Sequence, residues 1–224
     1  MITAQQLLSS AAAVLLDFDG PVTPLMPAPT NHQVADAARK PLLAAGIVLP
    51  PELARTSDHL AVLRYAWTCH REHLHDVDVA SVAGEVDAAQ RCLPTPGAHA
   101  FLAACLARGI PVAIVSNNSA DAIAAYMIRH ELQGTVEAIV GREPSRPDLM
   151  KPDPHALRVA SDALGVSPSH TVMVGDSLSD VTAARSVSAR VVGYGKNPRR
   201  AIELREAGAD VVIDAIADLV PSSR

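Results

Sequence analysis

Apolar positions along this 224-residue chain follow two patterns that alternate for most of its length. Short runs rich in β-branched residues, at 11–16, 112–115, 136–140, 171–174, 190–192 and 211–213, read as buried strands. Between the later runs, helical spacing covers 98–107, 120–130, 154–164, 180–186 and 198–207, with a last helix near Ala215. Apolar strands alternating with helices predict an α/β fold, a Rossmann-like parallel sheet with helices on both faces.

The alternation lapses between residues 22 and 93. Leu60, Leu63, Trp67 and Leu74 recur at helical spacing from a start near Ser57. Val34, Ala38, Leu42 and Ala45 form a stripe interrupted by Pro41, and residues 79–92 form a third helical stretch. Proline-rich residues 21–29 mark the way into this segment, and Pro94, Pro96 and Gly97 mark the way out. The chain thus divides into a core of residues 1–21 and 94–224 and an all-helical insertion of residues 22–93.

Chemistry collects where strand runs end. The first run is followed by Asp17-Phe18-Asp19-Gly20. Alternation sends Asp17 and Asp19 to one side and Phe18 to the other, and Gly20 permits a sharp turn. Acids that close repel unless a proton or a cation intervenes, and a hard divalent ion, Mg²⁺ above all, relieves the repulsion. Residues 112–115 run into Ser116-Asn117-Asn118, and residues 171–174 run into Gly175-Asp176 with Asp180 beyond. Lys151-Pro152 opens a helical stretch between them, and Lys151 is the only lysine between Lys40 and Lys196.

Taken in order, Asp17-Phe18-Asp19-Gly20, Ser116-Asn117, Lys151-Pro152 and Gly175-Asp176 with Asp180 resemble the four motifs of the haloacid dehalogenase superfamily over almost the whole chain. The resemblance implies a core with an inserted helical cap, Asp17 as nucleophile forming an aspartyl phosphate, and Asp19 as general acid and base. It implies that Ser116 holds the transferring group, that Lys151 offsets charge, and that Asn117 and Gly20 lie beside the substrate. Mg²⁺ would be held by Asp17, the Asp19 carbonyl and Asp176, with Asp180 acting through water or on Lys151. Asp180 also suits a helix first turn, and Ser116 or Ser119 suits a helix N-cap. The second acid, Asp19, favours phosphate over halide chemistry. The family usually has Thr where this chain has Pro21, which lacks both a hydroxyl and an N–H.

His59, Arg64, Tyr65, His70, Arg71, His73 and His75 crowd one stretch of the insertion. Arg64 and His70 are the candidates there for gripping an anionic or hydroxylated part of a substrate; a solvated helix face is the plainer alternative. Zinc on His70 with His73 or His75 lacks supporting acids or thiols.

Charge and composition narrow the partners. A net charge of -5 argues against a nucleic-acid partner. No stretch reaches the about 18 uninterrupted apolar residues of a membrane span, and the first residues lack a basic signal-peptide start. The expected setting is the cytoplasm, as a monomer or weak homodimer. Cys69, Cys92 and Cys105 lack metal or redox spacing and read as reduced thiols. Pro198 and Arg190 stand where dinucleotide and P-loop fingerprints need glycine. The expected function is a Mg²⁺-dependent phosphatase for a small phosphomonoester such as a sugar phosphate, phosphoglycolate or a nucleotide. A phosphosugar mutase or a silent binding homologue would share the motifs.

Overall fold

The computed structural model describes residues 2–220, so Met1 and residues 221–224 of the expected core lie outside the described residues. Strands β1 (Ala13–Leu16), β2 (Val112–Val115), β3 (Ala138–Val140), β4 (Thr171–Gly175), β5 (Arg190–Tyr194) and β6 (Val211–Ile213) form one sheet in the order β3-β2-β1-β4-β5-β6. Every neighbouring pair is parallel. β1 lies between β2 and β4, where strand order reverses and where open α/β sheets receive ligands at their carboxyl ends.

Period-two alternation builds the two faces. Val14 and Leu16 join a cluster with Phe101, Leu102 and Ile123, whereas Leu15 joins Leu157, Met173 and Val181 on the other side. α1 (Ala4–Ser10) contributes to the first face. Its start is marked by a capping box between Thr3 and Gln6, a signal the periodicity reading passed over.

Between β1 and β2 lie α2 (Thr30–Ala44), α3 (Pro51–Arg55), α4 (His59–Cys69) and α5 (Leu74–Ala89). They enclose their own core of Ala38, Leu42, Leu49, Val62, Leu63, Ala66, Leu74 and Val77. Leu42, Val62 and Leu63 are wholly buried, each burial contributing about 1.5–3 kcal/mol. Pro41 does not interrupt α2: it sits in the last turn, and Ala45 N–H still donates to its carbonyl at 3.1 Å. The stripe expected to run unbroken from Leu60 to Leu74 is split at His70, whose φ of -145° leaves the helix before a 3-10 turn at Arg71–His73. α5 is not isolated from the sheet, because Ala88 and Ala89 pack into the first core face and the helix lies on the one that spans Ala120–Arg129.

After the insertion come α6 (Ala98–Ala107) and α7 (Ala120–Arg129) on the first face, then α8 (His155–Ala163), α9 (Leu178–Ser186) and α10 (Pro198–Glu206) on the second. The helix expected near Ala215 is a 3-10 turn, Ile216–Leu219. The two crossings into the insertion run side by side. Thr23 Oγ1 donates to the Leu93 carbonyl at 2.8 Å, Thr95 N–H to Val22 at 2.9 Å, and Thr95 Oγ1 to Gly20. Pro21 is buried in this junction, where Val22 and Thr23 N–H both donate to the Phe18 carbonyl.

Candidate active site

Asp17 follows β1 directly, and its N–H prolongs the ladder by donating to the Val174 carbonyl at 2.9 Å. Phe18 turns away into the core, edge-on to Tyr126 at 5.3 Å. Ser116 leaves the end of β2 and Asp176 the end of β4. Lys151 comes from the loop between β3 and α8; Pro152 stands ahead of α8, which begins at His155, and so does not start a helix. Its ammonium reaches Asp17 Oδ1 at 2.8 Å, the Val115 carbonyl at 3.0 Å and Asp180 Oδ1 at 2.6 Å.

Asp180 carries two tasks. Its Oδ2 accepts from Ser177 N–H and Oγ in the capping box that opens α9, while Oδ1 meets the Lys151 ammonium. Oxygens of Asp17, Asp176 and Asp180 lie within 4.8 Å of one another. The Asp19 carboxylate stands outside this trio, held by Leu25 N–H at 2.9 Å. Glycine is required at both turns. Gly20 has φ of 116°, and a Cβ there would strike the Asp176 carboxylate; a Cβ at Gly175 would strike that of Asp180.

The electrostatics follow from two lysines among several acids. Burial, with the nearby Asp180 charge, holds Asp17 well above the ordinary carboxylate range despite Lys151. Burial raises Asp19 to about 6 against the Leu25 hydrogen bond. Asp176 is raised by burial although Lys196 donates to its Oδ2 at 2.8 Å. Lys151 is pushed up: burial opposes its charge, and Asp17 and Asp180 outweigh burial.

A cavity of about 330 Å³ opens on these groups, lined by Asp17, Asp19, Ser116, Asn117, Lys151 and Asp176 from the sheet ends and by Asn31, Ser57, Asp58 and His59 from the insertion. Arg64 and His70 do not line it. α4 meets the cavity with its first residues, and at about 1.5 Å of rise per residue the two later positions stand farther along the helix. Arg64 is exposed, and the His70 ring contacts Tyr65 Oη at 3.3 Å. Asn117 grips the main chain of Lys151, donating to its carbonyl at 3.1 Å and accepting from its N–H at 2.7 Å. It thereby sets the lysine. The N-cap of α7 is Ser119, while Ser116 Oγ donates to Asn118 Oδ1 and accepts from Asn118 N–H.

A second polar cluster escaped the sequence reading. Glu85, wholly buried on α5, accepts from Arg142 Nη1 at 2.8 Å, Ser119 N–H at 2.8 Å and Asn118 Nδ2 at 3.3 Å, and pairs with His59 Nε2 at 2.8 Å. Arg142 also pairs with Asp78 at 2.8 Å. Burial raises Glu85, but the His59 hydrogen bond and the Arg142 charge outweigh it and bring the carboxyl down to about 2. Asp78, Ser81 and Glu85 recur at helical spacing on the buried face of α5, a signal that a search for apolar stripes alone discards.

The chain has counterparts among known proteins. A family model described as haloacid dehalogenase-like hydrolase matches residues 11–188, and the chain belongs to that family. It is 34% identical over 124 residues to phosphoglycolate phosphatase of Pectobacterium atrosepticum, covering 54% of this chain and 50% of that protein. It is 35% identical over 129 residues to beta-phosphoglucomutase of Mycobacterium bovis, covering 55% and 48%. The chain thus spans about half the length of these curated relatives. A hydrolase from Pseudomonas syringae superposes with a TM-score of 0.67 at 21% identity over 93% of this chain and 95% of that one, a likeness of fold.

Proposed function

We propose that the protein is a Mg²⁺-dependent phosphatase that hydrolyses a small phosphomonoester through an aspartyl phosphate on Asp17. The observation that carries this reading is the excess of acid at the sheet ends: Asp17, Asp176 and Asp180 bring carboxylate oxygens within 4.8 Å of one another, with Lys151 on Asp17 and Asp180 and Lys196 on Asp176. Hard oxygen donors of this kind fit a small divalent cation, with Asp17, Asp176 and the Asp19 carbonyl as its holders and Asp180 behind them. When bound, such an ion supplies positive charge to the phosphoryl oxygens.

The chain's own groups account for the remaining steps. An Asp17 carboxylate oxygen forms a bond to phosphorus as the bond to the alcohol oxygen breaks, and Asp19 gives its proton to that departing oxygen. Asp19, now a carboxylate, takes a proton from water whose oxygen bonds to phosphorus as the bond to Asp17 breaks, releasing orthophosphate and restoring both acids. A carboxyl raised to about 6 is suited to give and take protons near neutrality. Ser116 and the following amides bind phosphoryl oxygens, and Lys151 offsets charge on Asp17 and the phosphoryl group. Residues 22–93 act as a cap over residues 1–21 and 94–224. We assign the protein to the cytoplasm, working as a monomer or weak homodimer on a free small molecule, without nucleic acid or membrane. Among the described residues no helix is long and apolar enough to cross a membrane.

Phosphate release from p-nitrophenyl phosphate and from simple phosphomonoesters tests this reading. Chelation with EDTA stops release, Mg²⁺ restores it, and excess Ca²⁺ inhibits because its larger, looser shell misplaces the nucleophile. Full activity after exhaustive chelation overturns the metal requirement. The likeness to a beta-phosphoglucomutase supports a second reading, phosphosugar isomerisation, which an isomeric sugar phosphate formed without free phosphate would establish.

A further inference from the structure

The proposed phosphatase reading leaves the alcohol half of the substrate open, and the insertion's side of the cavity narrows it. Its charged or ionisable contributions there are Asp58 and His59, with Asn31 and Ser57 as neutral polar neighbours. No arginine or lysine of the insertion lines the cavity. The nearby cations are already paired: Arg142 is buried between Asp78 and Glu85, and Arg39 is bound to Asp36 and the carbonyls of Leu53 and Thr56. Lys151 is paired with Asp17 and Asp180, and Lys196 donates to Asp176 Oδ2 at 2.8 Å from a neighbouring cavity that shares Asp19, Met26, Asp176 and Ser177 with this one.

The hydrogen-bonding sense of these groups matters as much as their charge. Asp58 caps α4 through Oδ1, which accepts from Leu60 N–H at 2.9 Å, and its other oxygen has no donor among the described residues. An ionised Glu85 can only accept, so His59 Nε2 donates to it and is committed there. The free Asp58 oxygen calls for a donor. A hydroxyl supplies one, whereas a second carboxylate or phosphate supplies none and meets Asp58 as a like charge. The lining also holds no Phe, Tyr or Trp on which a nucleobase could stack.

We infer that the preferred ester carries an uncharged, hydroxyl-rich alcohol of the sugar or polyol class, and neither a carboxylate such as that of phosphoglycolate nor a nucleoside. This inference rests on the phosphatase reading of the same site, and it departs from the substrate that names the 34%-identical relative.

The test compares kcat/KM for glucose 6-phosphate, phosphoglycolate and adenosine 5′-monophosphate on the Mg²⁺-loaded full chain, with p-nitrophenyl phosphate as a generic ester. The sugar ester is expected to lead the other two metabolites by tenfold or more. Turnover of the generic ester with phosphoglycolate or the nucleotide equal or ahead overturns the inference and leaves the phosphatase reading standing. If no ester releases phosphate, that reading falls, and calorimetric binding of the same three esters to Asp17→Asn protein decides the preference by itself. Asp58→Asn keeps the helix-capping oxygen and removes the charge; it is expected to cut the ratio of sugar ester to phosphoglycolate at least tenfold. An unchanged ratio overturns the part given to Asp58.

Discussion

The molecule holds two buried charge clusters, one at the sheet ends and one between α5 and the loops after β2 and β3, and they are opposite in balance. At the sheet ends Asp17, Asp19, Asp176 and Asp180 meet only Lys151 and Lys196, and burial raises Asp17, Asp19 and Asp176 above the ordinary carboxylate range. Between α5 and the loops, Arg142 and His59 answer Asp78 and Glu85, and Glu85 is held down at about 2. Burial is comparable in the two places, so the difference lies in counter-charge. A buried cluster short of cations is poised to take one, whereas a balanced cluster joins parts of the fold.

The largest expected effect comes from the unbalanced cluster. Asp17→Asn removes the proposed nucleophile while keeping shape, and phosphate release is expected to fall by at least about a thousandfold, about 4 kcal/mol. The metal-free melting temperature should not fall, because a carboxyl whose charging is disfavoured has been removed. Substantial residual release from the purified variant breaks the assignment.

In the balanced cluster the loss falls on stability. Arg142→Ala strands Asp78 and Glu85 without their cation and is expected to cost about 3–5 kcal/mol in denaturant unfolding. A cost below about 1 kcal/mol would mean that water enters and the pair is not a buried one.

The two clusters should also titrate in opposite senses. Asp19, at about 6 folded against 3.8, gives stability that is complete below about pH 4 and lost as pH rises through 6, about 3 kcal/mol in all. Asp17 and Asp176 act in the same direction. Glu85, at about 2 against 4.5, gives stability complete well above 4.5 and lost as pH falls through 2, a loss of similar size. Metal-free protein should therefore be most stable near pH 4–5, a window set by those two groups. Mg²⁺ should flatten the alkaline limb, and Glu85→Gln the acid limb. Thermal melts across pH with and without Mg²⁺ read both; a metal-free melting temperature that climbs from pH 5 to 7 contradicts the picture.

The smallest effect is expected at the junction. Pro21→Thr adds a hydroxyl and an N–H without touching a proposed catalytic group, so turnover of p-nitrophenyl phosphate should change less than about tenfold, about 1.4 kcal/mol. A larger change would tie the junction directly to the chemistry.

The same contrast explains what could be read from the chain. Asp17, Ser116 and Asp176 each follow an apolar strand run, so local spacing announces both the strand and the polar group at its end, and the strand runs find their places in the sheet. Arg142 meets Glu85 and Asp78 across 57 and 64 residues, and no local pattern links such partners. On α5 a search for apolar spacing gives no weight to the polar Ser81 and Glu85, which are 0% exposed. Crowding of His and Arg drew attention to Arg64 and His70. What reaches the cavity is instead the start of α4, where Asp58 caps the helix and His59 follows.

The hydrogen bonds that lash Val22 and Thr23 to Leu93 and Thr95 also bear on how the gene can be cut and rejoined. A segment whose two ends are already neighbours can be replaced by one of different length at little entropic expense, since closure depends only weakly on loop size. Grafting at this stitch exchanges everything from α2 to α5, Asp58 and His59 included, and leaves β1, β2 and Asp17 in register. The balanced cluster sets the condition for such a graft: a replacement segment must answer Arg142 with acids of its own, or the recipient must give up that arginine.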